Sequence, residues 1–257
     1  MKIYEFSKQK NIRDLGGLVG YNNKTIKYGR LFRGGGLDKV SEEDIEVLNS
    51  LHITDVVDFR SKDEFNHRPD FRLENVTYHN FTTFEHEHKK EHIVHDDGNL
   101  LWFMDKEDTG FSHLLKTYKE LVDTEEGQEA YRNLFKIMMQ DDSRVVYFHC
   151  SQGKDRVGVA AYLIESALGV DFETIKEDYL LSNVAMDKRK HHLIEAVKDK
   201  PFYNEQYHND LLEVFSAKLE YLYGAIEIIN NKYGGVLPYL KNILNVDIEK
   251  FREMYLE

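Results

Sequence analysis

Hydrophobic positions along the chain switch between two spacings. In residues 53–59 (ITDVVDF) apolar and β-branched side chains crowd into a short run, which suits a buried strand. Residues 144–150 (RVVYFHC) give the strongest such run, and 76–81 (VTYHNF) another. Elsewhere helical spacing takes over. Ile45, Leu48 and Leu51 follow Ser41, a candidate N-cap with Asp44 three residues on, so residues 41–51 are expected to open and run as a helix. Residues 111–140 repeat apolar side chains at the same period, from Leu114 and Tyr118 to Phe135 and Met138. Directly after the strand at 144–150 comes a short polar loop, then an apolar helix (VGVAAYLIESALG) stopped by Gly169. Glycine pairs and triplets at 16–17 and 34–36 read as turns. The stretch 82–109 is charged and aperiodic, a surface excursion of the kind that serves as a lid or binding loop. Residues 172–257 read as helices, broken at Ser182-Asn183, Lys200-Pro201, Gly234-Gly235 and Pro238. Strand, helix, strand in this order predicts an α/β fold with a largely parallel sheet, and one domain over 1–257.

Composition narrows the picture. With 257 residues, 41% hydrophobic and 12% aromatic, the chain can bury a substantial core and is not disordered. A net charge of −12 argues against nucleic acid as a partner, because no global basic field exists to replace its counterions. No apolar run is long enough to span a bilayer, and MKIYEFSKQKN lacks the h-region of a signal peptide, so the cytoplasm is the expected compartment, with export by an unusual route left open. The single cysteine, Cys150, rules out an internal disulfide or a cysteine-only metal site, and leaves one candidate thiol nucleophile.

That cysteine stands in HCSQGKDRVG, residues 149–158. A strand ends on Cys150, a short loop follows, and a helix begins near Arg156. Such a loop aims successive backbone N–H groups and the positive end of a helix dipole at one point, which makes a nest for a phosphate dianion. The same field favours thiolate at Cys150. Arg156 can grip two phosphate oxygens with its planar fork, and Gly153 lets the loop curl. Cys150 is therefore the expected nucleophile toward phosphorus, with Ser151, Gln152, Gly153 and Lys154 as phosphate-binding positions. The alternative is an inert buried thiol, which the polar, doubly cationic loop opposes.

HCSQGKDRVG resembles the loop of the atypical bacterial protein tyrosine phosphatases of dual or lipid specificity. NIRDLGGL at 11–18, GRLFRGGGL at 29–37, ITDVVDFRSKDE at 53–64 and YGGVLPYL at 233–240 match further motifs of that family in order. The resemblance implies a tyrosine-phosphatase-like fold: a central, mostly parallel sheet flanked by helices, with a helical lid insertion, placed at about 82–130. It implies Cys150 as nucleophile, Arg156 as phosphate clamp, and Asp155, inside the loop, as general acid. Asp58, which ends the run at 53–59 much as Cys150 ends its own, is the rival acid and a further candidate substrate-binding residue; the bland reading pairs it with Arg60 or Arg156. Lys154 has two readings. It neutralises a second substrate phosphate, as in the similar loops of phosphoinositide phosphatases, or it offsets Asp155 or a neighbouring carboxylate. Two positions depart from the family pattern. Val157 stands where a serine or threonine hydroxyl assists the sulfur as leaving group, so slow breakdown of the phosphoenzyme is expected; Gly34 replaces a usual serine, with no expected consequence.

The expected activity is cysteine-dependent phosphomonoester hydrolysis, on phosphotyrosine first, with phosphoserine/threonine and phosphoinositides as further classes. A phospho-binding pseudophosphatase is the alternative, and arsenate reduction is disfavoured because no second cysteine could resolve an arsenylated thiol. No cofactor is expected. His79, His86, His88, His92 and His95 cluster within charged sequence without a catalytic metal motif, so no metal site is expected there. Phe81, Phe84, Trp102, Phe103 and Met104 are candidates for lid packing, and Tyr221, Leu222 and Tyr223 for core.

Overall fold

The computed structural model describes residues 2–4, 6, 11–84, 101, 104 and 107–257; His86, His88, His92, His95, Trp102 and Phe103 lie outside the described residues. Strands β1 (Lys2–Ile3), β2 (Arg13–Asp14), β3 (Leu31–Gly35), β4 (Asp55–Asp58), β5 (Thr77–Asn80) and β6 (Val146–Cys150) form one sheet in the order β1-β2-β3-β6-β4-β5. β3, β6, β4 and β5 run parallel, while β1 and β2 add an antiparallel edge. The central strand is β6, and both its faces are covered. Val146, Phe148 and Cys150 face one apolar cluster, and Tyr147 faces a second with Phe32, Val56 and Leu48, as the two-residue period of a strand requires. Complete burial of a side chain such as Phe148 stabilises by roughly 1.5–3 kcal/mol.

The helices are α1 (Glu42–Ser50), α2 (Lys62–His67), α3 (Gly110–Asp123), α4 (Glu125–Met138), α5 (Asp155–Ala167), α6 (Phe172–Val197), α7 (Glu205–Val214), α8 (Leu219–Tyr233), α9 (Val236–Asn242) and α10 (Ile248–Tyr255). Ser41 and Asp44 form the capping box expected of α1. Several expectations are corrected. Gly34 and Gly35 belong to β3 and not to a turn, because β2 and β6 flank and pair with that strand. The helical run at 111–140 divides at Thr124, which ends α3 and caps α4 by accepting from the Gly127 amide. Ser182 and Asn183 do not break α6: Ser182 Oγ accepts from Asn11, and Asn183 bonds both ways with the backbone of Ala217, so tertiary partners satisfy side chains that otherwise compete with the helix. α2 was not expected, although Ser61 and Glu64 carry a capping box.

The segment expected as a lid is described only in part. Its helical half is core: Leu114, Tyr118, Leu121 and Val122 of α3 and Ala130 of α4 join the main cluster, and Phe81 and Phe84 pack against it. A separate small cluster gathers Leu101, Val197, Leu211, Val214 and Phe215, with Met104 against it. Tyr221 and Leu222 are buried as expected, whereas Tyr223 is exposed. Among the described residues no helix is long and apolar enough to cross a membrane.

Candidate active site

Cys150 ends β6 where β3 and β4 end beside it, with Gly35 in register with Cys150 and Asp58 with His149. The crest of a parallel sheet at strand carboxyl ends is where ligands bind in such folds. Residues 151–154 then turn into α5, whose first turn holds Asp155 and Arg156 and whose N-terminus has no side-chain cap. The sequence thus brings Cys150, Ser151, Gln152, Gly153, Lys154, Asp155 and Arg156 into one short turn.

The orientation of that turn is set from behind. Asn11 Nδ2 donates to the carbonyls of Gln152 at 3.3 Å and Gly153 at 3.0 Å, and Arg33 Nη2 donates to Gly153 at 3.2 Å. A trans peptide places its N–H opposite its C=O, so tying back these carbonyls aims the following amides to the other side. Among the described residues nothing accepts from the N–H groups of Gln152, Gly153 or Lys154. Gly153 has φ +68°, and a Cβ there would stand 2.3 Å from the Gly34 carbonyl carbon, so the loop lies directly on β3. Gly34 is equally confined: a Cβ would stand 2.5 Å from the Tyr147 hydroxyl and 2.7 Å from Ile12 Cγ1. The glycine at 34 therefore has a structural reason that the sequence did not suggest.

Behind the loop, Asp178 of α6 accepts from Arg13 Nε at 2.6 Å and from Arg33 Nη1, all three side chains being buried. Burial pushes the Asp178 carboxyl up, but the charges of Arg13 and Arg33 outweigh it and hold it below the usual carboxylate range. Glu165 beside it is driven the other way, by burial first and by the charge of Asp178 second.

In front, Glu64 accepts from Arg156 Nη1 at 2.6 Å and Nη2 at 3.1 Å, and from the Ser151 hydroxyl. This end-on, two-bond pair fixes the plane of the guanidinium. Burial raises the Glu64 carboxyl, yet the charge and hydrogen bonds of Arg156 prevail and hold it far below its ordinary value. Arg68 Nη2 reaches Ser151 Oγ at 3.5 Å.

The two residues with open roles are now placed. The Lys154 ammonium is fully buried; it donates to the carbonyls of Val214 at 2.6 Å and Ser216 at 3.0 Å and lies 3.1 Å from Asp155 Oδ1. An ammonium has three donors, so this placement matches its reading as a counter-charge to Asp155 and leaves none for a second phosphate. Asp58 is paired with Arg60, accepting from its amide, Nε and Nη2 at 2.8–3.0 Å, and is 3% exposed. This burial and pairing match the bland reading, in which Asp58 is a structural carboxylate. Arg60 Nη2 also bonds Asp70 at 2.7 Å, and His149 Nε2 lies 3.2 Å from the same carboxylate. Burial lowers the His149 imidazole, but Asp58 and Asp70 together raise it above its ordinary value, while Asp70, against its own burial, is brought to about 2 by His149, Arg60 and the Leu37 amide. Asp58, Asp70 and His149 offer ligand atoms within 4.8 Å of one another, the one such group among the described residues, but Arg60 already supplies the cation there. His79 bonds Asp55 at 2.9 Å instead.

Comparison with known proteins adds a family. The model of the tyrosine phosphatase family matches residues 4–257. A "Putative tyrosine-protein phosphatase" of Cupriavidus necator is 29% identical over 255 residues, covering 98% of this chain and 87% of its own. The triple specificity protein phosphatase PtpB of Mycobacterium tuberculosis is 24% identical over 267 residues, covering 94% of each. Among solved structures, P. aeruginosa TpbA in complex with phosphotyrosine overlaps 81% of this chain and 91% of its own at 14% identity and a TM-score of 0.25.

Proposed function

Since the chain belongs to the tyrosine phosphatase family, we propose that it hydrolyses phosphotyrosine through a cysteinyl-phosphate intermediate, with Cys150 as nucleophile, Arg156 as phosphate clamp and Asp155 as general acid. The observation that carries this reading is the turn at 151–154, whose carbonyls are tied to Asn11 and Arg33 so that its amides face away from them beside Cys150. The phosphoryl oxygens sit against those amides and the Arg156 fork, where developing charge is met without reorganisation. The Cys150 sulfur, as thiolate, attacks phosphorus in line. The S–P bond forms as the P–O bond to the phenol breaks, and the phenolic oxygen takes its proton from Asp155. Water then attacks phosphorus, the Asp155 carboxylate takes its proton, the S–P bond breaks and phosphate leaves. Glu64 positions Arg156 throughout.

Phosphoserine and phosphothreonine remain in the proposal as further classes, supported by the triple specificity in the name of the mycobacterial relative, and phosphoinositides remain as a class for test. The burial of Lys154 does not support the phosphoinositide class. A phosphate-release panel over all these substrates, run beside Cys150→Ser, tests the reading. Release from phosphotyrosine peptides by the native chain and none by Cys150→Ser is expected; equal release by both removes the thiol mechanism. Binding without release by either would leave the pseudophosphatase.

Val157 is fully buried in the cluster that takes Cys150, so no hydroxyl on that side chain assists the departing sulfur. A pre-steady-state burst and slow turnover are expected. Under rapid quench, Val157→Thr should accelerate the hydrolytic step; an unchanged step refutes the role given to this position.

A further inference from the structure

Tyr118 of α3 is completely buried, yet its hydroxyl reaches the catalytic loop. It donates to Asp155 Oδ1 at 2.9 Å and lies 2.7 Å from the Tyr179 hydroxyl, which in turn donates to the Lys218 carbonyl at 3.2 Å. Lys154 Nζ stands 3.1 Å from the same oxygen of Asp155. Two groups thus converge on Oδ1, while Asp155 Oδ2 has no partner among the described residues and the side chain keeps 23% of its surface exposed.

We propose that Tyr118 is the positioning residue of the general acid: with Lys154 it fixes Asp155 through Oδ1 and leaves Oδ2 to exchange the proton with the leaving group. The inference rests on Asp155 being the acid. In the first step Oδ2 gives its proton to the phenolic oxygen, and the carboxylate left behind is met by the Lys154 charge and the Tyr118 hydroxyl. In the second step that carboxylate takes a proton from water. Burial, then the charge of Asp155, raises the Tyr118 phenol well above its ordinary value, so it stays a donor in both steps. The pair of hydroxyls adjusts by rotation, since Tyr179 can donate to Tyr118 or to Lys218. Lys154 and Tyr179 donate to Val214, the last residue of α7, and to Ser216 and Lys218 between α7 and α8, so the acid is braced by the helical layer and not only by its own loop.

The experiment compares kcat/KM for a phosphotyrosine peptide, whose leaving phenol has an ordinary pKa of about 10, with 2,4-dinitrophenyl phosphate, whose leaving group needs little protonation. Loss of a general acid is felt by the first far more than by the second. For Asp155→Asn the phosphotyrosine-to-dinitrophenyl ratio should fall by about 100-fold, the lower range for acid catalysis. For Tyr118→Phe it should fall by about tenfold, with KM for both substrates little moved. If Asp155→Asn slows both substrates equally, the acid assignment fails and the inference with it. If Asp155→Asn changes the ratio and a folded Tyr118→Phe does not, only the positioning role fails. Should Tyr118→Phe not fold, Tyr179→Phe carries the test: it removes the outer hydroxyl and should lower the ratio at least twofold, and an unmoved ratio overturns the proposal.

Discussion

Asp178→Ala should lower the free energy of unfolding by about 3–5 kcal/mol, the usual cost of removing one partner from a buried ion pair. Arg13 and Arg33 are 1% and 0% exposed and both converge on this carboxylate. Without it, two guanidinium groups face each other in the dry layer between β3 and α6. Glu165, fully buried beside Asp178 and held well above its ordinary value by burial, can answer by ionising toward the arginines. The double variant Asp178→Ala/Glu165→Gln should therefore lose more than the sum of the single losses. Urea unfolding of the four proteins measures this directly; a single-variant loss below about 1 kcal/mol, ordinary for any substitution, would show that the pair is not what holds the loop's support together. The pH dependence has a definite sign. The folded carboxyl is held below its unfolded value of about 3.9, so its contribution is complete above that pH and disappears as pH falls through the folded value.

Gly153→Ala should slow catalysis by about 100-fold or more, at a smaller cost in stability. The residue has φ +68°, where a Cβ is strained, and that Cβ would meet backbone atoms of Gly34 and Gly35 at 2.3–2.7 Å. Backbone in a paired strand cannot turn aside as a side chain can, so the loop itself must lift. A displacement of about 1 Å in reacting groups costs on the order of 100-fold in rate, and here the amides and Arg156 move together. Hydrolysis of p-nitrophenyl phosphate, with circular dichroism to confirm folding, gives the readout. A folded Gly153→Ala protein within tenfold of the native rate would mean that the loop's shape does not depend on its seat on β3.

Much of this was legible in the sequence because it is local. The strand at 144–150, the polar turn and the apolar helix place Cys150 and Arg156 without help from distant residues, and Ser41 announces α1 by its own chemistry. Glu64 could have been found: its capping box with Ser61 lies in plain view within a quoted motif, but its second task, holding Arg156 across 92 positions, has no local trace. The same holds for Arg13 and Arg33, whose partner Asp178 lies more than 140 residues away in the sequence. Ser182-Asn183 misled for a related reason: these residues disfavour helix interiors only when nothing else occupies their side chains. Lys154 and Asp58 each had two readings that spacing alone could not separate, because burial and partners decide between them.

The close seating of Gly34 against Tyr147 links two positions that are far apart in the chain. The Tyr147 hydroxyl, which donates to the Gly35 carbonyl, occupies the space a side chain at 34 would fill. A side chain at 34 therefore needs both Tyr147 and Ile12 to give way.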